Sequence, residues 1–470
     1  MTKEIELKLT LLPDHADAAG HWLTTRGEIT HRSLHSVYFD TPAQFLLKSG
    51  MTLRLRHDGH QWIQTIKSGS RNGVGLFDRD EWEKPVPDRA IDIADTPLAG
   101  LPPQTRSAMA ETFSLDVERR VVLAEHDGST VEIALDMGTV KAADRYQALS
   151  EAELELKSGS TDALFDLARS LDAIAPIRIG VRAKSDLGYG LLGPLEDSVK
   201  ADAVRIDPNG SVEDAFFLIA SSCIAQYRLN EDILLRRQTP EALHQARVGL
   251  RRLRSALKIF KAVLDPHSRD AFNDELKWLA GILGTARDLD IKLAAMPQGP
   301  EAALVQEARD AAYRTLGETL IQARPRLLML DIVQWLTDGA ASSAPQGRAA
   351  AKLPVVDLAN SALDKLFRKL KASAKGFAVR TDQERHETRK LAKTLRYGTE
   401  FFAAVYDGKR KAKHHQKLSN RLGALQDALG ELNDLTTIDT EVGRTLDKSV
   451  LLATASERLD EVLAVKRFWS

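Results

Sequence analysis

Apolar and polar residues alternate at period two through most of residues 1–193. Such alternation puts successive side chains on opposite faces of a β-strand. The stretches 4–8, 37–42, 52–56, 61–67, 79–83, 118–123, 130–136 and 151–157 each predict a strand. His57, Asp58, Gly59 and His60 between two of them predict a hairpin turn. Residues 14–26 and 161–174 change to spacings of three and four, which predicts two short helices. The polar faces are charged: Glu4, Glu6 and Lys8 share one, as do Arg54 and Arg56, and Glu151, Glu153 and Glu155. Alternate side chains on a strand lie about 6–7 Å apart. Turned to water, such a face carries little information. Lining a closed barrel, the same charges are costly to bury without ligands and water, and they suit a multiply charged anion held with divalent cations.

Gly190, Gly193, Pro194, Pro208, Asn209 and Gly210 predict a linker within residues 188–214, and beyond it the period is helical. His244, Arg247, Arg251, Arg254 and Lys258 make a basic stripe on one helix. Leu243, Ala246, Leu250, Leu253, Leu257 and Phe260 make an apolar stripe about 100° away. His386, Arg389, Lys393 and Arg396 repeat the basic spacing 142 residues later. An internal repeat of this kind predicts two like helical bundles, with the Ala-, Ser-, Gly- and Pro-rich residues 339–354 between them. Arg410, His414, Lys417 and Arg421 extend the basic surface of the second bundle. The expected class is α+β in two domains: β-rich residues 1–200, a linker at 201–212, and an all-α part at 213–470 with repeats at about 213–338 and 355–470.

Charge divides along the same line. Residues 1–200 hold 23 Lys and Arg against 31 Asp and Glu, a net of −8, and the remainder carries +7. The acidic half is suited to cations and the basic half to polyanions. A single cysteine, Cys223, excludes an intramolecular disulfide framework. The apolar run 215–225 is broken by Ser221 and Ser222 and is too short for a membrane span. The opening residues lack the pattern of a secretory signal, so a cytoplasmic location and no membrane partner are expected. Few aromatics interleave the basic stripes, so no nucleic-acid partner is expected. His244 and His386 lack a second His or carboxylate at helical spacing on their stripe, which argues against a metal site there.

Residues 1 to about 200 resemble the CYTH superfamily, the triphosphate tunnel metalloenzymes. The E-x-E-x-K signature falls on Glu4, Glu6 and Lys8. Further basic positions fall on Arg54, Arg56, Lys67, Arg119 (or its neighbour Arg120) and Lys184, and acidic ones on Glu81, Glu83, Asp136, Glu151, Glu153 and Glu155. The resemblance implies an eight-stranded antiparallel tunnel that hydrolyses triphosphate with Mg²⁺ or Mn²⁺. Glu4, Glu6, Glu153 and Glu155 would bind the cations, with Glu151 as an additional ligand. Lys8, Arg54, Arg56, Lys67, Arg119 and Lys184 would clamp phosphoryl oxygens, and Glu153 or Glu155 would position the attacking water.

Residues 210–470 resemble the CHAD domain through H-x-x-R-x-x-x-R-x-x-R at His244 and, with Lys393 replacing an arginine, at His386. That resemblance implies binding of inorganic polyphosphate, by His244, Arg247, Arg251, Arg254, His386, Arg389, Lys393, Arg396, Lys417 and Arg421, and association with polyphosphate granules. Two other functions share these motifs: a polyphosphate-binding or targeting protein without turnover, and a nucleotide or thiamine triphosphate enzyme of the same superfamily.

Overall fold

The computed structural model describes residues 5–68, 74, 76–77, 80–341, 345–406, 408–435 and 444–469. Ten strands are present among them. Those of the first half are β1 (Ile5–Leu11), β2 (Thr30–Asp40), β3 (Met51–His57), β4 (Trp62–Ser68), β5 (Leu76–Phe77) and β6 (Asp80–Val86). They are followed by β7 (Ala110–His126), β8 (Ser129–Ala142), β9 (Arg145–Ser158) and β10 (Ile177–Ile179). The order is β10-β1-β9-β8-β7-β2-β3-β4-β6, with β5 also on β1, and every pairing is antiparallel. Eight long strands account for the alternating stretches, while β5 and β10 share the outer edge of β1. β5, on the edge of β1, ends three positions before β6, the last strand of the order, begins.

The alternation divides the faces as the sequence predicts. In β1, Leu7, Leu9 and Leu11 are buried on one face while Glu6 and Lys8 take the other. In β3, Leu53 and Leu55 pack with Val37, Phe39, Leu46 and Ile66, leaving Arg54 and Arg56 opposite. Each fully buried leucine contributes about 2 kcal/mol.

Helices α1 (Ala16–Thr24), α2 (Phe45–Lys48), α3 (Pro103–Ser107), α4 (Asp162–Asp172) and α5 (Lys184–Leu192) accompany the sheet. Residues 188–192, read from the sequence as the start of the linker, are helical. Gly188 makes this possible, because a Cβ there would lie 2.1 Å from the Phe113 ring. Asp40 ties these pieces together, accepting from the amides of Thr41, Leu46 and Leu47 and from the Tyr189 hydroxyl at 2.7–3.1 Å.

The helical part runs α6 (Val212–Arg237), α7 (Pro240–Ile259), α8 (Pro266–Ala295), α9 (Pro300–Leu320), α10 (Ala323–Thr337) and α11 (Pro345–Ala351). It continues with α12 (Val355–Ala374), α13 (Asp382–Phe401), α14 (Lys409–Leu435) and α15 (Arg444–Leu463). Four helices recur in order at an offset of 142–144 residues: α6 as α12, α7 as α13, α8 as α14 and α9 as α15. Prolines at the first positions of α7, α8 and α9 pre-set the helical φ where an amide would lack a partner anyway. Thr381 and Glu384 form a reciprocal capping box at the start of α13.

The chain forms two compact units. One comprises Met1–Lys200, Ile224–Arg247 and Leu279–Asp338, and the other Ala201–Cys223, Val248–Trp278 and Gly339–Ser470. Their boundary passes through α6, α7 and α8. Within the first unit the helical segments are joined to the strand-bearing residues by polar contacts. Arg326 makes a fork on the buried Asp172 carboxylate at 2.9 and 3.0 Å, and Arg169 reaches Asp331 at 2.7 Å. Among the described residues, no helix is long and apolar enough to cross a membrane.

Candidate active site

Strand register assembles the charged residues. Glu153 of β9 lies opposite Lys8 of β1, Glu155 opposite Glu6, and Glu151 opposite Asp136 of β8. Asp136 in turn lies opposite Arg119 of β7. Residues directly opposite share a face, so these seven side chains meet on one surface.

Their contacts form a single network. Lys8 Nζ pairs with Glu153, and lies 3.2 Å from Glu151 Oε1 and 3.3 Å from Glu6 Oε1. Lys184, from the first turn of α5, pairs with Glu151 and lies 2.8 Å from Asp136 Oδ2 and 2.6 Å from Glu153 Oε1. Arg119 donates to both Asp136 oxygens, Nε at 2.7 Å and Nη2 at 2.6 Å, and to Glu153 Oε2 at 2.6 Å. Arg120 points elsewhere, donating to the Ala16 carbonyl at 3.4 Å beside α1. Geometry thus distinguishes two neighbours that their spacing leaves equivalent.

Burial and partner charge compete in this network. Burial alone favours neutral forms, yet Lys184, Lys8 and Arg119 outweigh it and hold Glu153 well below the usual carboxylate range. Asp136 is lowered in the same way, chiefly by Lys184 and Arg119 against its burial. Lys8 is raised, its burial overcome by Glu151 and Glu153. Glu6 goes the other way: burial, then repulsion from Glu153, raises it.

A second group of charges lies on β3, β4 and β6. Lys67 Nζ is 3.0 Å from Glu81, while Arg54 and Arg56 lie 3.8 and 3.6 Å from Glu83 Oε1. Thr65 donates to that same oxygen at 2.7 Å and accepts from Arg54 Nη2 at 3.1 Å. The Nε atoms of Arg54 and Arg56 are buried without a hydrogen-bond partner among the described residues. Repulsion from Arg54, followed by burial, lowers Arg56 to about 10. Two adjacent guanidiniums with unused donors have the chemistry to hold an oxyanion.

Glu151, Glu153 and Asp136 each offer an oxygen within 4.8 Å of the others. An all-carboxylate donor set in this spacing fits a hard divalent cation. Glu155 stands apart from that trio and pairs with Lys157 at 2.6 Å. Glu4 lies outside the described residues. Asp136, fully buried at the centre of the network, received no separate role from the sequence. The sequence matched it to an acidic position of the CYTH resemblance, and the alternation of 130–136 puts it in phase with Glu132.

In the second compact unit a cavity of about 450 Å³ is lined by Arg251, Arg254 and Lys258 of α7, Lys390 and Lys393 of α13, and Lys261 and Arg269. Arg254 Nε donates to Asn273 Oδ1 at 3.2 Å, and Arg269 pairs with Asp270 at 2.8 Å. The sequence pointed to the first three residues and to Lys393, but missed Lys390 of α13 and Lys261 and Arg269, which sit just past the end of α7 and at the start of α8. The other expected ligands are not in this lining. Arg247 lies 3.6 Å from Asp288, Arg396 3.2 Å from Glu400, and Arg421 2.7 Å from Glu461. His386 and Lys417 are exposed, while His244 and Arg389 are partly buried.

Known proteins share both halves. The sequence profile of the CYTH domain matches residues 2–185, and that of the CHAD domain matches residues 218–460. An inorganic triphosphatase of Haemophilus influenzae is 33% identical over 198 residues, covering 41% of this chain and 56% of that protein. The match therefore spans little more than half of the relative's length. An uncharacterized protein of Mycobacterium tuberculosis is 26% identical over 411 residues, covering 78% of this chain and 75% of the relative. A crystal structure of the CHAD domain from the plant Ricinus communis is 28% identical, with a TM-score of 0.46, over 57% of this chain and 95% of that one.

Proposed function

For a chain that belongs to the CHAD domain family and carries a CYTH domain ahead of that module, we propose hydrolysis of inorganic triphosphate to diphosphate and phosphate, dependent on Mg²⁺ or Mn²⁺, with polyphosphate held by the helical module. The observation that carries the reading is the convergence of Glu6, Asp136, Glu151 and Glu153 with Lys8, Arg119 and Lys184 on one sheet face. Facing carboxylates and cations in such number are unfavourable to bury unless a ligand of mixed charge completes them. Triphosphate with a divalent cation is such a ligand.

Arg54, Arg56 and Lys67 hold phosphoryl oxygens, the two arginines through donors that are unused in the free protein. Lys8, Lys184 and Arg119 release their carboxylates in part and turn to the phosphate chain. Glu151 and Glu153, with Glu6 and Glu4, would hold the cation. A bound Mg²⁺ or Mn²⁺ supplies charge neutralisation and polarises the phosphoryl oxygens. Glu153 or Glu155 orients the attacking water. Such transfer needs positioning and electrostatics and no covalent nucleophile. Phosphate release from triphosphate, long-chain polyphosphate, ATP and thiamine triphosphate with either metal tests the reading. Triphosphate should be the best substrate, and absence of phosphate release from it under all conditions would sink the proposal.

In the helical module, five lysines and arginines from α7 and α13, with Lys261 and Arg269, support binding of a flexible polyanion. Such binding would place the chain in the cytoplasm near polyphosphate granules.

A further inference from the structure

Arg178 sits in the middle of the three-residue strand β10, in register with Thr10 of β1. Thr10 is two residues from Lys8, so Arg178 belongs to the face that bears Lys8. It is 5% exposed, and its Nε and Nη2 have no hydrogen-bond partner among the described residues. Those two atoms form one edge of the guanidinium, the edge that meets two oxygens of a single oxyanion in a fork. A buried guanidinium left in this state is costly.

Its neighbours are arginines already engaged in ion pairs. On one side, the Ile177 amide donates to Asp172 Oδ1 at 3.0 Å, and Asp172 also accepts the two-pronged contact from Arg326. On the other, Arg228 Nε donates to the Ile179 carbonyl at 3.1 Å. Arg228 is itself 1% exposed and directs its remaining nitrogens to Glu231 and, at 3.0 Å, to Asp232. Two guanidiniums therefore bracket Arg178, and the nearby carboxylates are already engaged by those two. All of these residues belong to the first compact unit.

We propose that Arg178, flanked by Arg228 and Arg326, anchors a second oxyanion site that takes inorganic phosphate or a terminal phosphoryl group. Phosphate offers two oxygens at the spacing of the free Arg178 edge, which the nearby carboxylates leave without a partner. The site is separate from the Arg54 and Arg56 cradle and does not depend on the hydrolytic reading. It adjoins the strand that bears Lys8, where the Gly180 amide donates to the Lys8 carbonyl at 2.8 Å.

The test is calorimetric titration of the full chain with inorganic phosphate, without metal, in an Arg54→Ala/Arg56→Ala background that disables the cradle. Adding Arg178→Met should remove one equivalent of bound phosphate or weaken it by about tenfold or more, as expected for loss of charge-assisted hydrogen bonds. Arg178→Lys should retain part of the binding. Unchanged stoichiometry and affinity would overturn the site. The phosphate-induced shift in thermal unfolding gives an independent readout that a purely structural arginine would not move. In phosphate-free buffer Arg178→Met should melt at or above its parent, because an unpaired buried charge has been removed. In about 10 mM phosphate the parent should gain stability while the variant does not, by linkage. Equal stabilisation of both by phosphate would refute the proposal. Arg178→Gln, which removes the charge while keeping a polar side chain, gives the same comparison if the methionine variant does not fold.

Discussion

Lys8 and Glu153 stand directly opposite each other across β1 and β9, and their side chains form an ion pair. Glu153 is also held by Lys184 and Arg119, so one carboxylate contacts three cations. Glu153→Gln should therefore lower stability by about 3 kcal/mol in ligand-free protein, as when one partner of a buried pair is removed. Urea unfolding measures this, and triphosphate should restore part of the loss. The sign with pH follows from the lowered carboxyl. The stabilisation is present above pH 4.5 and lost as pH falls through the folded-state value, so the variant should be less acid-sensitive than the parent.

The unused Nε donors of Arg54 and Arg56 predict a substrate-binding defect. Arg54→Ala or Arg56→Ala should raise the KM for triphosphate by about 10- to 100-fold, the range for a lost hydrogen bond to a charged group. Arg56→Lys should recover charge but not the fork. Steady-state kinetics would show no such effect if these residues served only the fold.

Chelation of divalent metal should abolish phosphate release, and added Mn²⁺ should restore it. Mn²⁺ should also raise the melting temperature of the free chain, because a ligand that prefers the folded state stabilises it by mass action. Glu6→Gln and Glu151→Gln should both reduce that rise. An unchanged melting shift in the two variants would remove them from the metal site.

Arg251, Arg254 and Lys258 line one wall of the helical cavity. Replacing all three with alanine should weaken long-chain polyphosphate binding by about tenfold or more and flatten its dependence on salt. Filter binding at several ionic strengths reads both quantities. Unaltered affinity and slope would place the polyanion elsewhere.

Cys223 is fully buried, and that burial, resisted by Arg252, pushes its thiol up to about 11 from 9.0. Because the thiol form is favoured in the folded state, its contribution to stability is intact below pH 9 and is lost as pH rises through about 11. Iodoacetamide should label the native chain negligibly at neutral pH and label it readily after unfolding.

Much of this architecture was legible because each signal was local. Alternation in 52–56 is a property of five adjacent residues, and it assigned Leu53 and Leu55 to one face and Arg54 and Arg56 to the other. The helical repeat was legible from four basic residues at a constant offset, and it extends to four successive helices. Short elements escaped. The pairs and triplets that form β5 and β10 are too brief to show a period, and they exist because β1 offers an edge. Gly188 opened the expected linker, but its missing side chain is what lets α5 approach Phe113.

The sequence by itself determined which residue types face together along each strand and helix, since that follows from periods of 2.0 and 3.6. Register between distant strands it could not determine, because pairing depends on the whole sheet. Only the tertiary structure brought Glu153 opposite Lys8, turned Arg119 inward and Arg120 toward α1, and put Asp136 beneath Lys184. It also surrounded Arg178 with two further arginines from helices far along the chain. Ion pairs and orphaned donors are properties of sites, and a site exists only once folding has fixed the distances between charges.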